Sequence, residues 1–211
     1  MHKLVIFKFI SLMVISMVMI GCASNERVIE LGESSSKKTW VYLCGLTPHI
    51  NSLQETENRQ ILDDLGKKLS IKILAVHPFD RCKRAEEKLC WLHYTPEQTM
   101  DTYHKILNEI GNINVSGFIG FSNGGFFLNK LAQIQSLEAP IISVGAGGSL
   151  SHPRAKNTLS LVIGRLEPTY DSALKFFKAA KGSPLSITLI EHEGGHILPR
   201  VSLYQLLDKG P

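Results

Sequence analysis

Ser122 lies in Gly120-Phe121-Ser122-Asn123-Gly124, between the apolar run starting at Val115 and the helix-like stretch Phe126-Phe127-Leu128-Asn129-Lys130-Leu131. A serine on such a strand-to-helix turn sits in a strained backbone, with small neighbours relieving the crowding. The turn lifts the hydroxyl above the sheet and aims the following helix N-terminus at bound substrate. That is the setting for nucleophilic attack on a carbonyl carbon. The five-residue pattern alone is equally an ordinary βα turn in which Ser122 caps the helix. A serine hydroxyl also needs a base within hydrogen-bond reach before it can act as a nucleophile.

A second motif carries different chemistry. His192-Glu193-Gly194-Gly195-His196 matches the His-Glu-x-x-His pattern of zinc peptidases, with two helical histidines as ligands and the glutamate as general base. Adjacent glycines cost such a helix about 2 kcal/mol. Pro199 follows closely, and after His196 no His, Cys or Glu remains to serve as a third ligand. Gly145-Ala146-Gly147-Gly148 lacks the Lys-Ser/Thr and the helix of a phosphate loop, and reads as a tight turn near the rim of a site. No cofactor is called for.

These residues need a scaffold. Apolar runs at 39–44, 71–76, 115–120, 140–145, 159–163 and 186–190 predict strands, and amphipathic stretches at 53–69, 97–110, 124–136, 171–181 and 200–208 predict helices. Continuous apolar strands alternating with helices specify an α/β fold: a mostly parallel sheet of about six strands with helices on both faces. Residues 39–211 are enough for one domain and too few for two. Residues 22–38 are polar, without sustained periodicity, and read as a tether.

The N-terminus predicts export. Lys3 and Lys8 accompany an uncharged apolar run from Phe9 to Ile20, short for a bilayer span, that ends at Gly21-Cys22. Residues 1–21 resemble a bacterial lipoprotein signal, apart from Met19 where leucine is usual. The resemblance implies lipidation of Cys22 and a membrane anchor. With Ala23 rather than aspartate next, it implies the periplasmic face of the outer membrane. Without Lys3 and Lys8 the formal charge of +4 falls to about +2, which gives no reason to expect a nucleic-acid partner. In an oxidising compartment Cys82 and Cys90, flanking a basic segment, predict a disulfide. Cys44 is left unpaired.

The order of elements around the Ser122 turn resembles the α/β-hydrolase superfamily, in a trimmed form lacking the first hairpin. The resemblance spans the domain, with four specific motifs. It implies a base in the loop after the last strand, here His196 rather than His192, which sits too close to the strand. It implies a carboxylate after the penultimate strand, commonly three residues past a glycine, which selects Glu167 after Gly164. Asp171 is the alternative, but lies where it would serve equally as a helix cap. The amides of Asn123 and Leu46 are implied as oxyanion donors, with Cys44-Gly45 replacing the usual His-Gly. About 13 residues link 145 to 159, too few for a helical lid. The expected activity is therefore a carboxylesterase acting on small or surface-displayed esters. The alternatives are a non-catalytic envelope lipoprotein that binds through the same cleft, and the zinc peptidase.

Overall fold

The apolar runs become the central strands of one sheet. The computed structural model describes residues 27–49, 52–83, 85–151 and 153–209. The signal segment and Cys22 lie outside them. In chain order the elements are β1 (Val28–Gly32), β2 (Thr39–Leu43), α1 (Leu53–Leu69), β3 (Lys72–Val76), β4 (Asp80–Cys82), β5 (Ala85–Cys90), α2 (Pro96–Ile110), β6 (Val115–Phe121), α3 (Asn123–Ile134), β7 (Ile141–Val144), β8 (Thr158–Gly164), α4 (Tyr170–Ala180), β9 (Ser186–His192) and α5 (Arg200–Lys209). The main sheet has the order β1-β3-β2-β6-β7-β8-β9. All its pairings are parallel except β1 with β3.

Both faces of the sheet are covered, as uninterrupted apolar strands require. Trp40 and Tyr42 of β2 pack with Leu62 and Leu65 of α1 and with Leu203 and Leu207 of α5. Val41 and Leu43, alternating to the other side, belong to the core cluster that includes Ile106 of α2, Phe127 and Leu131 of α3, and Phe176 of α4. Among the described residues no helix is long and apolar enough to cross a membrane.

Two features depart from the expectation. The sheet has seven strands rather than six, because residues 28–32, read as tether, form the antiparallel edge strand β1. This strand is only half-buried, so it lacks the apolar run that marks the others. Asp63 of α1 fastens its end by accepting the Gly32 amide at 2.8 Å, and Gly32 packs against Gly66, where a Cβ would lie 2.8 Å from the Gly66 Cα. The segment after β3 is not a plain loop either. It contains the β4–β5 hairpin, closed by the expected Cys82–Cys90 disulfide with a Cα separation of 5.6 Å. The link between β7 and β8 carries no helix among its described residues.

Candidate active site

At the end of β6 the backbone turns abruptly. Ser122 has φ 52° and ψ −114°, a left-handed conformation that costs a serine roughly 1–3 kcal/mol. The surrounding structure enforces it. The Ser122 amide donates to Val144 O at 2.8 Å, and Gly124 N donates to Cys44 O at 3.1 Å. A Cβ on Gly120 would lie 2.5 Å from Gly124 O, and one on Gly124 would strike Leu43 O. Both positions therefore require glycine, so β6 and α3 can pack this closely beside β2. Ser122 is the residue preceding α3, but its side chain makes no capping hydrogen bond. The capping alternative fails, and the hydroxyl is available at the mouth of the turn.

His196 and Glu167 come together beside this turn. His196 Nδ1 lies 2.9 Å from Glu167 Oε2, and the His196 ring packs on Phe121 with centroids 4.7 Å apart. Since Nδ1 faces the carboxylate, Nε2 is the nitrogen available for proton exchange. The Glu167 side chain is wholly buried, while that of His196 is 34% exposed. Thr169 Oγ1 donates to Glu167 Oε2 at 3.2 Å, and Gly164 N approaches Oε1 at 3.4 Å. Gln54 Nε2 holds the His196 carbonyl at 3.2 Å. Gly145, with φ 63°, closes the pair from below: a Cβ there would lie 3.1 Å from both the Glu167 carboxylate and the His196 ring. Asp171 is exposed in the first turn of α4, where a negative charge favours the helix dipole. It is not beside His196 in the way Glu167 is.

The chain passes the Ser122 side chain at Gly45. A Cβ on Gly45 would approach Ser122 Cβ to 3.2 Å, and Leu46 is the residue that follows. Asn123 opens α3, so its amide belongs to the first turn and has no intrahelical acceptor. Trp91, which the sequence did not single out, links the two segments. Its main-chain N–H donates to Asn123 Oδ1 at 2.7 Å, and its indole N–H to Cys44 O at 2.9 Å. Trp91 directly follows the disulfide, and Leu89 exchanges two backbone hydrogen bonds with Thr47. The cross-linked hairpin is thus laced to the strip that carries Leu46.

The His192-Glu193-x-x-His196 zinc arrangement is not formed. His192 ends β9 and the chain then bends without helix until Arg200, so the two histidines do not share a helix face. His192 Nδ1 accepts from Gly194 N at 3.1 Å, and Glu193, 82% exposed, pairs with Arg165 at 3.1 Å. The Gly-Gly pair breaks the helix that the motif requires. Among the described residues, the grouping that could hold a metal lies elsewhere: Cys44, Glu55 and His77, all buried, offer ligand atoms within 4.8 Å of one another. Burial pushes the Cys44 thiol well up, lifts Glu55 to about 7 and lowers His77 to about 4. Two clefts of about 370 and 300 Å³, lined by residues such as Ala139 and Thr158 or Asn114 and Val115, open at the opposite end of the strands.

No protein-family model and no curated protein matches the chain. Solved structures do. Zea mays acyl-protein thioesterase 2 superposes with a TM-score of 0.64 at 15% identity, over 87% of this chain and 96% of its own. Esterase PE8 gives 0.62 at 13% identity over 87% and 98%. A carboxylesterase from Mesorhizobium loti gives 0.58 at 15% identity over 83% and 90%. The chain has the α/β-hydrolase fold. At these identities the likeness establishes this fold and leaves the chemistry to the side chains. In this α/β-hydrolase fold the strand-to-helix turn at Ser122 and the loops after β7, β8 and β9 all open at the carboxyl ends of parallel strands, where ligands of open α/β sheets bind.

Proposed function

We propose that this chain is a serine hydrolase that cleaves carboxylic esters through an acyl-enzyme on Ser122. The observation that carries the reading is the 2.9 Å contact of His196 Nδ1 with a buried Glu167 beside the strained Ser122 turn. Ser122 Oγ attacks the ester carbonyl while His196 Nε2 takes its proton. Glu167 holds the imidazole in the required tautomer and stabilises the imidazolium. The amides of Asn123 and Leu46 receive the oxyanion, each contributing on the order of 3 kcal/mol to the transition state. His196 returns the proton to the departing alcohol, and water activated by the same base releases the acid. The fold neighbours named esterase, carboxylesterase and thioesterase support acyl transfer as the reaction class. The lack of a helix among the described residues between β7 and β8 favours short acyl chains or esters displayed on a larger molecule.

The same reading makes the enzyme an envelope lipoprotein. Residues 1–21 act as the signal, lipid on Cys22 anchors the domain, and the periplasmic face of the outer membrane is its site. The basic start, the short apolar run and Gly21-Cys22 support this. Incorporation of labelled fatty acid that Cys22→Ser abolishes is the expected result.

Fluorophosphonate labelling tests the hydrolase. Adduct on Ser122, lost in His196→Ala and in heat-denatured protein, is expected. Absence of adduct on folded protein overturns the reading.

A further inference from the structure

Behind the loop that carries Leu46 lies a second polar cluster in which the proposed esterase has no part. Cys44 follows β2, His77 follows β3, and Glu55 projects from the first turn of α1. Their residues are 0%, 2% and 3% exposed. Among the described residues Cys44 is the free cysteine, and neither ring nitrogen of His77 nor Oε1 of Glu55 has a hydrogen-bond partner. Buried polar atoms are almost always satisfied. An unpartnered histidine ring and an unpartnered carboxylate oxygen beside the buried Cys44 thiol therefore indicate a missing occupant.

We propose that Cys44, Glu55 and His77 form a buried binding site for a thiophilic divalent cation, zinc by preference, with water in the fourth position. A thiolate, an imidazole and a carboxylate are the donor types of tetrahedral zinc. Bonds of about 2.0–2.3 Å put tetrahedral ligand atoms about 3.3–3.8 Å apart. The cluster, with its atoms within 4.8 Å of one another, reaches that spacing by closing about an ångström at its widest. Thiolate and carboxylate together balance a dication, which neither could do alone in an apolar interior. The carboxylate is already oriented: Tyr42 Oη donates to Glu55 Oε2 at 3.2 Å, and Asn58 Nδ2 donates to Tyr42 Oη at 3.3 Å. Such outer partners hold metal ligands in place. Arg59, whose charge reaches both Glu55 and His77, opposes a cation, but it is only half-buried and solvent screens it. The Cys44 carbonyl accepts from Gly124 and Trp91, so a metal on its thiolate would fix the end of β2 just ahead of Leu46.

The test is metal content and cobalt spectroscopy on the untagged chain, refolded in zinc or cobalt because the site is closed once folded. One equivalent of zinc per chain is expected. With cobalt, a thiolate-to-metal charge-transfer band and the strong visible bands of tetrahedral coordination are expected. Cys44→Ser should abolish the charge-transfer band, and His77→Gln should weaken binding at least about tenfold. If either variant fails to fold, the wild-type cobalt spectrum decides alone. Substoichiometric metal in natively folded wild-type protein overturns the site and assigns the cluster to water. A six-coordinate cobalt spectrum without the thiolate band, or a band that survives in folded Cys44→Ser, overturns it equally.

Discussion

The Glu167 carboxylate and the His196 imidazole meet at 2.9 Å although 29 positions separate them in the chain. Parallel pairing of β8 with β9 explains this. Gly164 and His192 are register partners at the ends of the two strands, so the loops leaving them start side by side. Glu167 lies three residues beyond one end and His196 four beyond the other. A short turn at Gly164, closed by Glu167 N donating to Gly164 O at 3.1 Å, folds the carboxylate back beneath the imidazole.

Glu167→Gln should lower the rate of Ser122 acylation on the order of 10³-fold, because the amide no longer fixes the tautomer or stabilises the imidazolium. Asp171→Asn should leave the rate unchanged. Single-turnover kinetics with an activated ester compares the two. Equal losses would move the orienting role away from Glu167.

Trp91→Phe keeps most of the buried ring but removes the donor to Cys44 O. Loss of that hydrogen bond should cost roughly 1 kcal/mol of stability, and slackening of the Leu46 segment should lower kcat more than it changes KM. Chemical denaturation read by circular dichroism, together with steady-state kinetics, separates the two effects.

Reduction of the Cys82–Cys90 disulfide should destabilise the domain by about 2–3 kcal/mol, as expected for so small a closed loop. Because Leu89 and Thr47 exchange backbone bonds, fluorophosphonate labelling should slow as well. The paired serine variant, labelled with and without dithiothreitol, checks this: its rate should match that of the reduced wild type and ignore the reductant.

Asp63→Ala should release the end of β1. Lys67 and the Gly32 amide hold the Asp63 carboxyl below its usual range. A carboxylate depressed in the folded state stabilises above its unfolded pKa and loses that contribution as pH falls through the folded value. Faster amide exchange across residues 28–32 is expected in the variant at neutral pH. In the wild type, acid well below pH 4 should produce the same loosening.

Six of the seven main strands and all five helices were legible because their signals are local: apolar runs for buried parallel strands, and 3.6-residue periodicity for helices. The Ser122 turn was legible because close packing forces glycine at Gly120 and Gly124. β1 was not, since an edge strand with one covered face needs few apolar residues, and its anchor at Asp63 is distant in sequence. The spacing after Gly164 favoured Glu167 over Asp171, but its burial was not legible, since that depends on Thr169 and Gly145 arriving around it. Trp91 gave no signal beyond being aromatic, because its hydrogen bonds go to positions 47 residues earlier and 32 later. The His-Glu-x-x-His pattern carried no such site, as Gly194-Gly195 and Pro199 already argued in the sequence, because a string of residue types does not make the helix it needs.

The parallel order of β2, β6, β7, β8 and β9 also has a kinetic meaning. Positions from Cys44 to His196 meet at one end of the sheet, and every connection between those strands is a crossover. Loop closure must precede each such contact, which makes parallel sheets slow to form. The Ser122 turn can bend as soon as β6 and α3 pair, but His196 arrives only when β9, last in the sheet, has docked on β8. During refolding, recovery of labelling should therefore lag behind recovery of helical signal, and the adduct on Ser122 becomes a clock for the final strand.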